Sequence, residues 1–305
     1  MREFGSFVAL GDSFTEGVGD PGGPGERPHG WADRFASHLA GQNPGLRYAN
    51  LAIRGKLLGE VMAEQIPAAV AMRPDLISIA AGGNDLLRPR ADPDRLAEQF
   101  ESAIAALTGS GSTVLAFTGF DPNAFPVLRM IRGRAAVFNM HIRAIAGKYG
   151  CLLVDLWPMR MLTDRRMWAP DRLHLTTEGH RRVALMACEA VGVPVAGDWR
   201  SPLPPVPARL GLAAGAADWV AARRADADWL TEHALPYLSR RLHGVSSGDG
   251  MAPKRPRLAP VLADPAGATG PQAPFIVDLG AGRATGRATG RAGGAAAVGQ
   301  ADARG

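Results

Sequence analysis

The sequence has few of the features that mark membrane proteins or disulfide-rich secreted proteins. Only two cysteines, Cys151 and Cys188, occur in 305 residues. Both lie among apolar residues, where cysteine acts as a small hydrophobe, so we expect buried free thiols; nothing in the sequence supports a disulfide. No apolar run reaches the ~18 residues of a membrane span, and the N-terminus lacks the basic-then-apolar pattern of a signal peptide. We therefore expect a cytoplasmic protein without stable membrane insertion.

The chain also lacks a concentrated patch of one charge. Its formal net charge is +5, but residues 244–305 hold 7 Lys and Arg against 4 Asp and Glu, so the rest is close to neutral. That larger part has no basic stripe, which argues against a nucleic-acid partner. Histidine, cysteine and aspartate do not cluster at metal-ligand spacings, so we expect neither a metal nor another cofactor.

What is present, up to residue 196, is an alternation of strand-like runs and amphipathic helices. This pattern is typical of a parallel sheet covered on both faces. We therefore predict an α/β fold, a three-layer α/β/α sandwich around a five-stranded parallel sheet. The predicted strands are 6–10, 47–51, 76–81, 113–118 and 151–156. Asp92 followed by Pro93 predicts the start of one helix, and another is predicted over about 177–191.

Two further segments follow this domain. Residues 197–243 begin with several prolines and then read as helical, which predicts a Pro-rich connector and a helical extension packed on the body. Residues 244–305 contain 13 Gly and 6 Pro, a composition typical of low complexity, and we expect a disordered tail. Its Lys-Arg-Pro-Arg cluster at 254–257 is interpreted as a solvated basic patch, with a docking motif as the alternative.

A candidate nucleophile ends the first predicted strand. Ser13 follows Gly11 and Asp12 just past the carboxyl end of that strand, where open α/β sheets place their chemistry. Alone, such a serine is also compatible with a turn or a helix N-cap. Asp171 and His174 lie in a loop beyond the last strand, and their spacing lets the carboxylate bind one imidazole nitrogen and leave the other for Ser13. A turn aspartate beside a surface histidine is the alternative.

Two other strand ends carry candidate donors for an oxyanion. Gly55 turns the chain after the second strand, and its missing side chain lets a backbone N–H approach a ligand closely. Asn84 follows two glycines after the third strand, and a side-chain amide is a strong oxyanion donor. Either segment alone is an ordinary turn. Together the four segments supply the nucleophile, base, orienting acid and donors that acyl transfer needs.

In this order, the four segments resemble the SGNH (GDSL-type) hydrolase superfamily, over about residues 4–195. Its motifs are Gly-Asp-Ser, a later Gly, Gly-x-Asn-Asp and Asp-x-x-His, and all four occur here. The resemblance implies a flavodoxin-like SGNH domain over 1–196, with Ser13 as nucleophile, His174 as general base and Asp171 as orienting acid. It also implies an oxyanion hole made of the Ser13 N–H, the Gly55 N–H and the Asn84 side chain. The activity implied is that of an esterase, lipase or acylhydrolase on a small-molecule ester.

Three residues within or beside these motifs are not assigned to catalysis. Asp12 and Asp85 match motif positions, but we interpret both as structural residues that bond turn N–H groups. Arg54 stands next to the glycine of the oxyanion segment. A plain surface role is the interpretation favoured for it, and contact with an anionic substrate is the alternative.

The sequence leaves other functions and the substrate open. A flavodoxin-like phosphate or flavin binder is the main alternative, because a hydroxyl-rich loop follows the first strand. A non-catalytic binding module of SGNH fold is a second one. No Gly-x-Ser-x-Gly elbow occurs, which argues against an α/β-hydrolase. The sequence indicates neither the ester cleaved nor the oligomeric state. The loop 119–133 holds apolar residues suited to an acyl pocket or to ordinary core: Phe120, Phe125, Leu128, Met130 and Ile131.

Overall fold

A six-stranded sheet forms the centre of the protein in the computed structural model, which describes residues 3–22, 27–125, 128–205 and 246–261. The sheet has the order β5-β4-β3-β1-β2-β6. Its strands are β1 (Ser6–Gly11), β2 (Arg47–Asn50), β3 (Leu76–Ala80), β4 (Thr113–Phe117), β5 (Leu152–Val154) and β6 (Arg255–Pro260). The first five pair in parallel, which confirms the predicted parallel sheet.

Helices cover both faces of this sheet. They are α1 (Ser13–Glu16), α2 (Gly30–Gln42), α3 (Leu58–Glu60), a π-helical turn (Val61–Gln65), α4 (Ile66–Ala71), α5 (Gly83–Leu86), α6 (Pro93–Gly109), α7 (Arg132–Tyr149) and α8 (Thr177–Val191). Short 3₁₀ turns occupy Pro122–Ala124, Leu128–Ile131, Arg160–Thr163 and Arg165–Met167. Phe7 of β1 packs with α2 and α8, and its neighbour Val8 packs with α4, α6 and α7. Successive side chains of a strand point to opposite faces, so the predicted three-layer sandwich is confirmed.

The helix predicted after Asp92 begins at Pro93, as expected, and the Asp92 side chain caps it by accepting a hydrogen bond from the N–H of Asp94 at 2.9 Å. The two cysteines are both free thiols; Cys188 is buried and Cys151 is half-buried. No helix in the described ranges combines the length and the apolar character that crossing a bilayer requires.

The sixth strand corrects the interpretation of the C-terminal segment. Residues 255–260 fall within the predicted disordered tail, but they form β6, which pairs antiparallel with β2. Lys254, expected in a solvated basic patch, has a side chain only 5% exposed and an ion pair with Asp33. Composition describes the segment alone, whereas the strand forms because β2 would otherwise be an open edge of the sheet, to which a further strand can pair. Residues 206–245 and 262–305, which contain the predicted helical extension and most of the predicted tail, lie outside the described residues.

The topology places two motif segments beside each other. The chain winds from β1 through α2 to β2 in one direction along the sheet, and from β3 through α6 to β4 in the other. β1 and β3 are neighbours, so the winding direction changes between them. In open α/β sheets ligands bind at the carboxyl ends of the strands at such a point. Ser13 follows β1 there, and Asn84 follows β3.

Candidate active site

The turn that carries Ser13 is fixed from two sides. Ser13 is the first residue of α1, and the side chain of Asp12 caps this short helix by accepting a hydrogen bond from the N–H of Phe14 at 3.1 Å. Gln65 of the π-helical turn accepts from the N–H of Gly11 and donates to its carbonyl, both at 2.9 Å. Because Gln65 is buried and both its amide oxygen and its NH₂ group are bonded, the backbone at Gly11, two residues before the serine, has one preferred position.

Asp171 and His174 form a close hydrogen-bonded pair. Oδ2 of Asp171 lies 2.6 Å from Nδ1 of His174. Its Oδ1 accepts from the backbone N–H groups of Leu173 at 3.0 Å and of His174 at 3.1 Å. Burial raises the pKa of Asp171, but these hydrogen bonds and the neighbouring His174 outweigh it, and the net pKa is below the usual value. The ionised carboxylate favours a proton on Nδ1, which leaves Nε2 for a second partner.

The loop that carries this pair is closed like a hairpin. The N–H of Ala169 donates to the carbonyl of His174 at 2.8 Å, and Trp168 and Leu175 form an isolated antiparallel bridge. Ser13, Asp171 and His174 all line one cavity of about 420 Å³. The structure therefore brings the candidate nucleophile and the candidate base to the same cavity.

The candidate oxyanion donors line this cavity as well. Asn84 points its Nδ2 at Oδ2 of Asp12, 3.0 Å away, and at the carbonyl of Lys56, 3.1 Å away. Gly55 has φ +78°, a left-handed conformation that only glycine adopts without strain. Both residues are wall residues of the cavity, with Ser13 between them in the order of the sheet. The four motif segments thus converge at one end of the sheet.

An ion pair that the sequence analysis missed joins the serine helix to the Gly55 turn. Glu16, the last residue of α1, is buried; its carboxylate accepts from the backbone N–H of Arg54 at 2.7 Å and from the Arg54 guanidinium at 2.5–3.1 Å. The Arg54 side chain is 28% exposed and Glu16 only 7%. Neither role considered for Arg54 describes this geometry, because its guanidinium is committed to Glu16. The pair holds Arg54, the residue before Gly55, against the nucleophile helix.

Two motif residues, Asp12 and Asp85, have the structural contacts expected of them. Asp12 bonds the turn N–H described above, and Oδ2 of Asp85 accepts from the N–H of Leu58 at 3.0 Å. His180, on α8, is buried, and its Nδ1 accepts from the N–H of Trp31 at 3.2 Å. Burial lowers the pKa of His180 to about 4, so this imidazole is neutral near pH 7. In the part of the chain that the structure describes, no three His, Cys, Asp or Glu side chains are grouped to hold a metal ion.

Much of the cavity wall is apolar. Of the loop residues with an undecided role, Phe120, Leu128 and Ile131 line the cavity, whereas Phe125 is buried against Trp168, with 4.9 Å between ring centroids. Met130 is 81% exposed. Further apolar side chains of the wall include Leu86, Leu87, Phe138, Ile142, Leu156, Leu162, Trp168 and Leu173. The cavity therefore combines a few polar groups with a largely apolar lining, as sites for small organic ligands do.

Two serines from the C-terminal segment also belong to the cavity wall. Ser246 and Ser247 lie beside Gly55, and a Cβ placed on Gly55 would lie 2.2 Å from Oγ of Ser246. Sequence reasoning missed them, as it missed Glu16 and Gln65. No local pattern marks any of the four, because their role depends on distant residues that the fold brings to them.

Comparisons with known proteins agree with this architecture. Axe2, an acetylxylan esterase from Geobacillus stearothermophilus, superposes with a TM-score of 0.53 at 20% identity, over 64% of this chain and 95% of Axe2. TesA superposes with a TM-score of 0.51 at 23% identity, over 61% of this chain and 97% of TesA. At these identities the likeness establishes a shared fold. No curated protein matches the sequence.

The family follows from the sequence itself. The model of the GDSL-like lipase/acylhydrolase family matches residues 9–182, more than half of the chain. The matched region contains Ser13, Gly55, Asn84, Asp171 and His174, and it ends well before residues 246–261. The match confirms the resemblance drawn from the four motifs: the chain belongs to the GDSL-like lipase/acylhydrolase family.

Proposed function

We propose that the protein is a serine hydrolase that cleaves carboxylic esters through an acyl-enzyme on Ser13. The observation that carries the proposal is the 2.6 Å contact between Asp171 and His174 at a cavity that Ser13 also lines. Membership of a family of lipases and acylhydrolases supports ester hydrolysis. A phosphate or flavin ligand would leave the Asp171–His174 pair without a role.

In the first half-reaction, Nε2 of His174 removes the proton of the Ser13 hydroxyl while the serine oxygen attacks the ester carbonyl. Negative charge develops on the carbonyl oxygen, and it is stabilised by the N–H groups of Ser13 and Gly55 and by Asn84. Asn84 has two N–H groups. They bond Asp12 and the carbonyl of Lys56, so the whole amide rotates away from the Lys56 carbonyl to donate to the oxyanion. His174 then returns the proton to the departing alcohol.

In the second half-reaction, water replaces the alcohol. His174 takes a proton from this water as it attacks the acyl carbonyl, and Ser13 leaves with that proton. Asp171 stabilises the imidazolium in both halves, because its carboxylate is ionised and already bonded to Nδ1. This orientation also keeps Nε2 facing the reacting oxygens.

The largely apolar lining of the cavity supports a substrate with an apolar acyl chain. Each buried methylene contributes ~0.8 kcal/mol, which corresponds to about fourfold in kcat/KM. We expect kcat/KM of p-nitrophenyl esters to rise from acetate through butyrate and hexanoate until the chain fills the cavity. A steady decline with chain length from acetate would contradict an acyl pocket at this wall.

The nucleophile is tested with a fluorophosphonate probe and with p-nitrophenyl acetate. The probe should label the native protein and the control Ser102→Ala, whose hydroxyl donates to the carbonyl of Glu98 on α6, away from the cavity. It should not label Ser13→Ala. Ser13→Ala and His174→Ala should each lose at least ~10³-fold in turnover. Equal labelling of Ser13→Ala and the native protein would refute the assignment.

A further inference from the structure

Residues 246–261 lie outside the region that the family model matches, but they pack against the domain. Its strand β6 lies on β2 in the pairs Arg47 with Pro260 and Tyr48 with Ala259. The Arg47 guanidinium donates to the carbonyl of Leu258 at 2.9 Å. The segment is therefore held along one edge of the sheet by the six residues of β6.

The residue before β6 anchors the segment beneath the serine helix. Lys254 is buried, and its Nζ makes an ion pair with Asp33. The same ammonium donates to the carbonyls of Glu16 and, at 2.8 Å, of Pro28. Glu16 ends α1, three residues after Ser13. Since buried charges are stable only when paired and hydrogen-bonded, this arrangement strongly favours one position of the segment.

The start of the segment forms a turn that packs on the Gly55 loop. Ser246 donates its N–H to Asp249 at 2.8 Å, and its hydroxyl accepts from the N–H of Gly248 at 3.2 Å. Gly248 is packed closely against Arg54: a Cβ placed on Gly248 would lie 2.1 Å from the Arg54 carbonyl oxygen. The turn thus touches the peptide unit that carries the Gly55 N–H.

We propose that Gly248 of this returning segment positions the Gly55 N–H as an oxyanion donor. The carboxylate of Glu16 accepts from the Arg54 N–H, and Gly248 packs against the Arg54 carbonyl, which belongs to the same peptide unit as the Gly55 N–H. Lys254 and β6 hold the turn in place. The inference rests on the proposed ester hydrolysis, and it extends the site beyond the residues of the family motifs.

The test compares two alanine substitutions in the same turn of the full-length protein. Gly248→Ala puts a methyl group onto the Arg54 carbonyl, so the turn and the Gly55 loop must move apart. Gly250→Ala is the matched control, because it strains the backbone at φ +73° but its Cβ meets nothing within 4 Å. We expect Gly248→Ala to lower kcat for p-nitrophenyl acetate by at least ~10-fold with KM little changed, since the donor acts mainly on the transition state. Gly250→Ala should keep kcat within about twofold of the native value, because its methyl group does not displace the catalytic groups and only such a displacement lowers the rate.

Amide hydrogen exchange supplies a readout that does not depend on activity. Exchange in peptides covering residues 52–58 should rise in Gly248→Ala and not in Gly250→Ala. Equal kcat and equal exchange in the two variants would overturn the positioning role. If the native protein cleaves no ester, the proposed function fails, and the exchange data still decide whether this turn holds the loop.

A second variant covers the case in which Gly248→Ala does not fold. Asp33→Asn combined with Lys254→Met removes both buried charges and adds no atom near Arg54. The loosened anchor should lower kcat at least ~3-fold and raise exchange over residues 52–58, because small displacements of catalytic groups cost rate steeply. Native values of both quantities in this double variant would contradict the proposal.

Discussion

Asp171→Asn gives the sharpest test of how the site works, because the backbone dictates how the new amide must sit. In the native protein Oδ1 of Asp171 accepts from two backbone N–H groups, those of Leu173 and His174, at 3.0 and 3.1 Å. Asparagine has one oxygen, and only that oxygen can accept these bonds. The NH₂ group is therefore forced into the position of Oδ2, which lies 2.6 Å from Nδ1 of His174.

This placement reverses the direction of the hydrogen bond. The amide donates to Nδ1, so the imidazole proton moves to Nε2 and faces Ser13, where a base has to accept a proton. The imidazolium of the transition state also loses its carboxylate partner. In serine proteases the same substitution in the triad lowers kcat ~10⁴-fold, which equals about 5.5 kcal/mol of barrier. We expect a loss of ~10³- to 10⁴-fold here, with the folded structure kept.

The assay is steady-state hydrolysis of p-nitrophenyl acetate, with Asp164→Asn as the control. Asp164 also caps a turn, by accepting from the N–H of Arg166 at 2.9 Å, but it belongs to no wall of the cavity. Its variant should retain native turnover. The reasoning is refuted if Asp171→Asn keeps more than a tenth of native kcat, since the amide would then not impose the wrong tautomer.

Two further predictions concern the contacts around the site. Glu16→Gln removes the negative charge and leaves one acceptor oxygen, which from the position of Oε2 can bond the Arg54 N–H and Nε but not Nη2. Urea unfolding should therefore show a loss of about 2 kcal/mol together with a lower kcat, whereas Glu189→Gln, which breaks the exposed pair with Arg200, should cost clearly less. Equal losses would contradict a special role for Glu16. Burial raises the pKa of Asp33 from its ordinary 3.8 to about 6, so between these values the folded protein keeps a proton that the unfolded chain has released. The stabilisation of the folded state by protonated Asp33 is therefore complete below about pH 4 and is lost as the pH rises through about 6. The free energy of unfolding of the native protein minus that of Asp33→Asn should fall over this pH range. A difference that does not change with pH would contradict the raised pKa of Asp33.

The parallel sheet and the motif residues were predictable because their signals are local. Most of the parallel strands are short apolar runs, and each has glycine or a polar residue at its end or within two residues after it, so its bounds could be predicted to within about two residues. Helix α8 has the predicted bounds because the sequence marks both ends, with Thr176 as N-cap and Gly192 as C-cap. The motif segments each follow a strand, and parallel strands bring their carboxyl ends to one side of the sheet.

The apolar loop 119–133 shows what local signals leave undetermined. Phe120, Phe125 and Met130 have similar hydrophobicity, yet one lines the cavity, one packs behind it and one is exposed. The described residues of this loop before α7 lie in turns and short 3₁₀ pieces, which have no period from which a buried face could be deduced. The side of the loop that faces the cavity is set by the strands and helices on which it rests.

The C-terminal segment could not be predicted for a different reason. Lysine is rarely buried, and a proline-containing basic cluster in a Gly-rich region normally indicates a solvated chain. Lys254 is buried because Asp33, more than two hundred positions earlier, lies where the returning segment passes. A single sequence contains no sign of that pairing. Only the closure of the sheet edge by β6 brings the two charges together.

Glu16 shows why these distant contacts matter for the chemistry. Its carboxylate holds the Arg54 peptide, its carbonyl accepts from Lys254, and its helix begins with Ser13. One residue therefore connects the nucleophile, the oxyanion loop and the returning segment. Since a buried polar group left unpaired is costly, a change at any of these three partners is transmitted to the other two through Glu16. Lys254 lies outside the cavity wall, yet a substitution there should affect catalysis more than the loss of an exposed side chain at the rim.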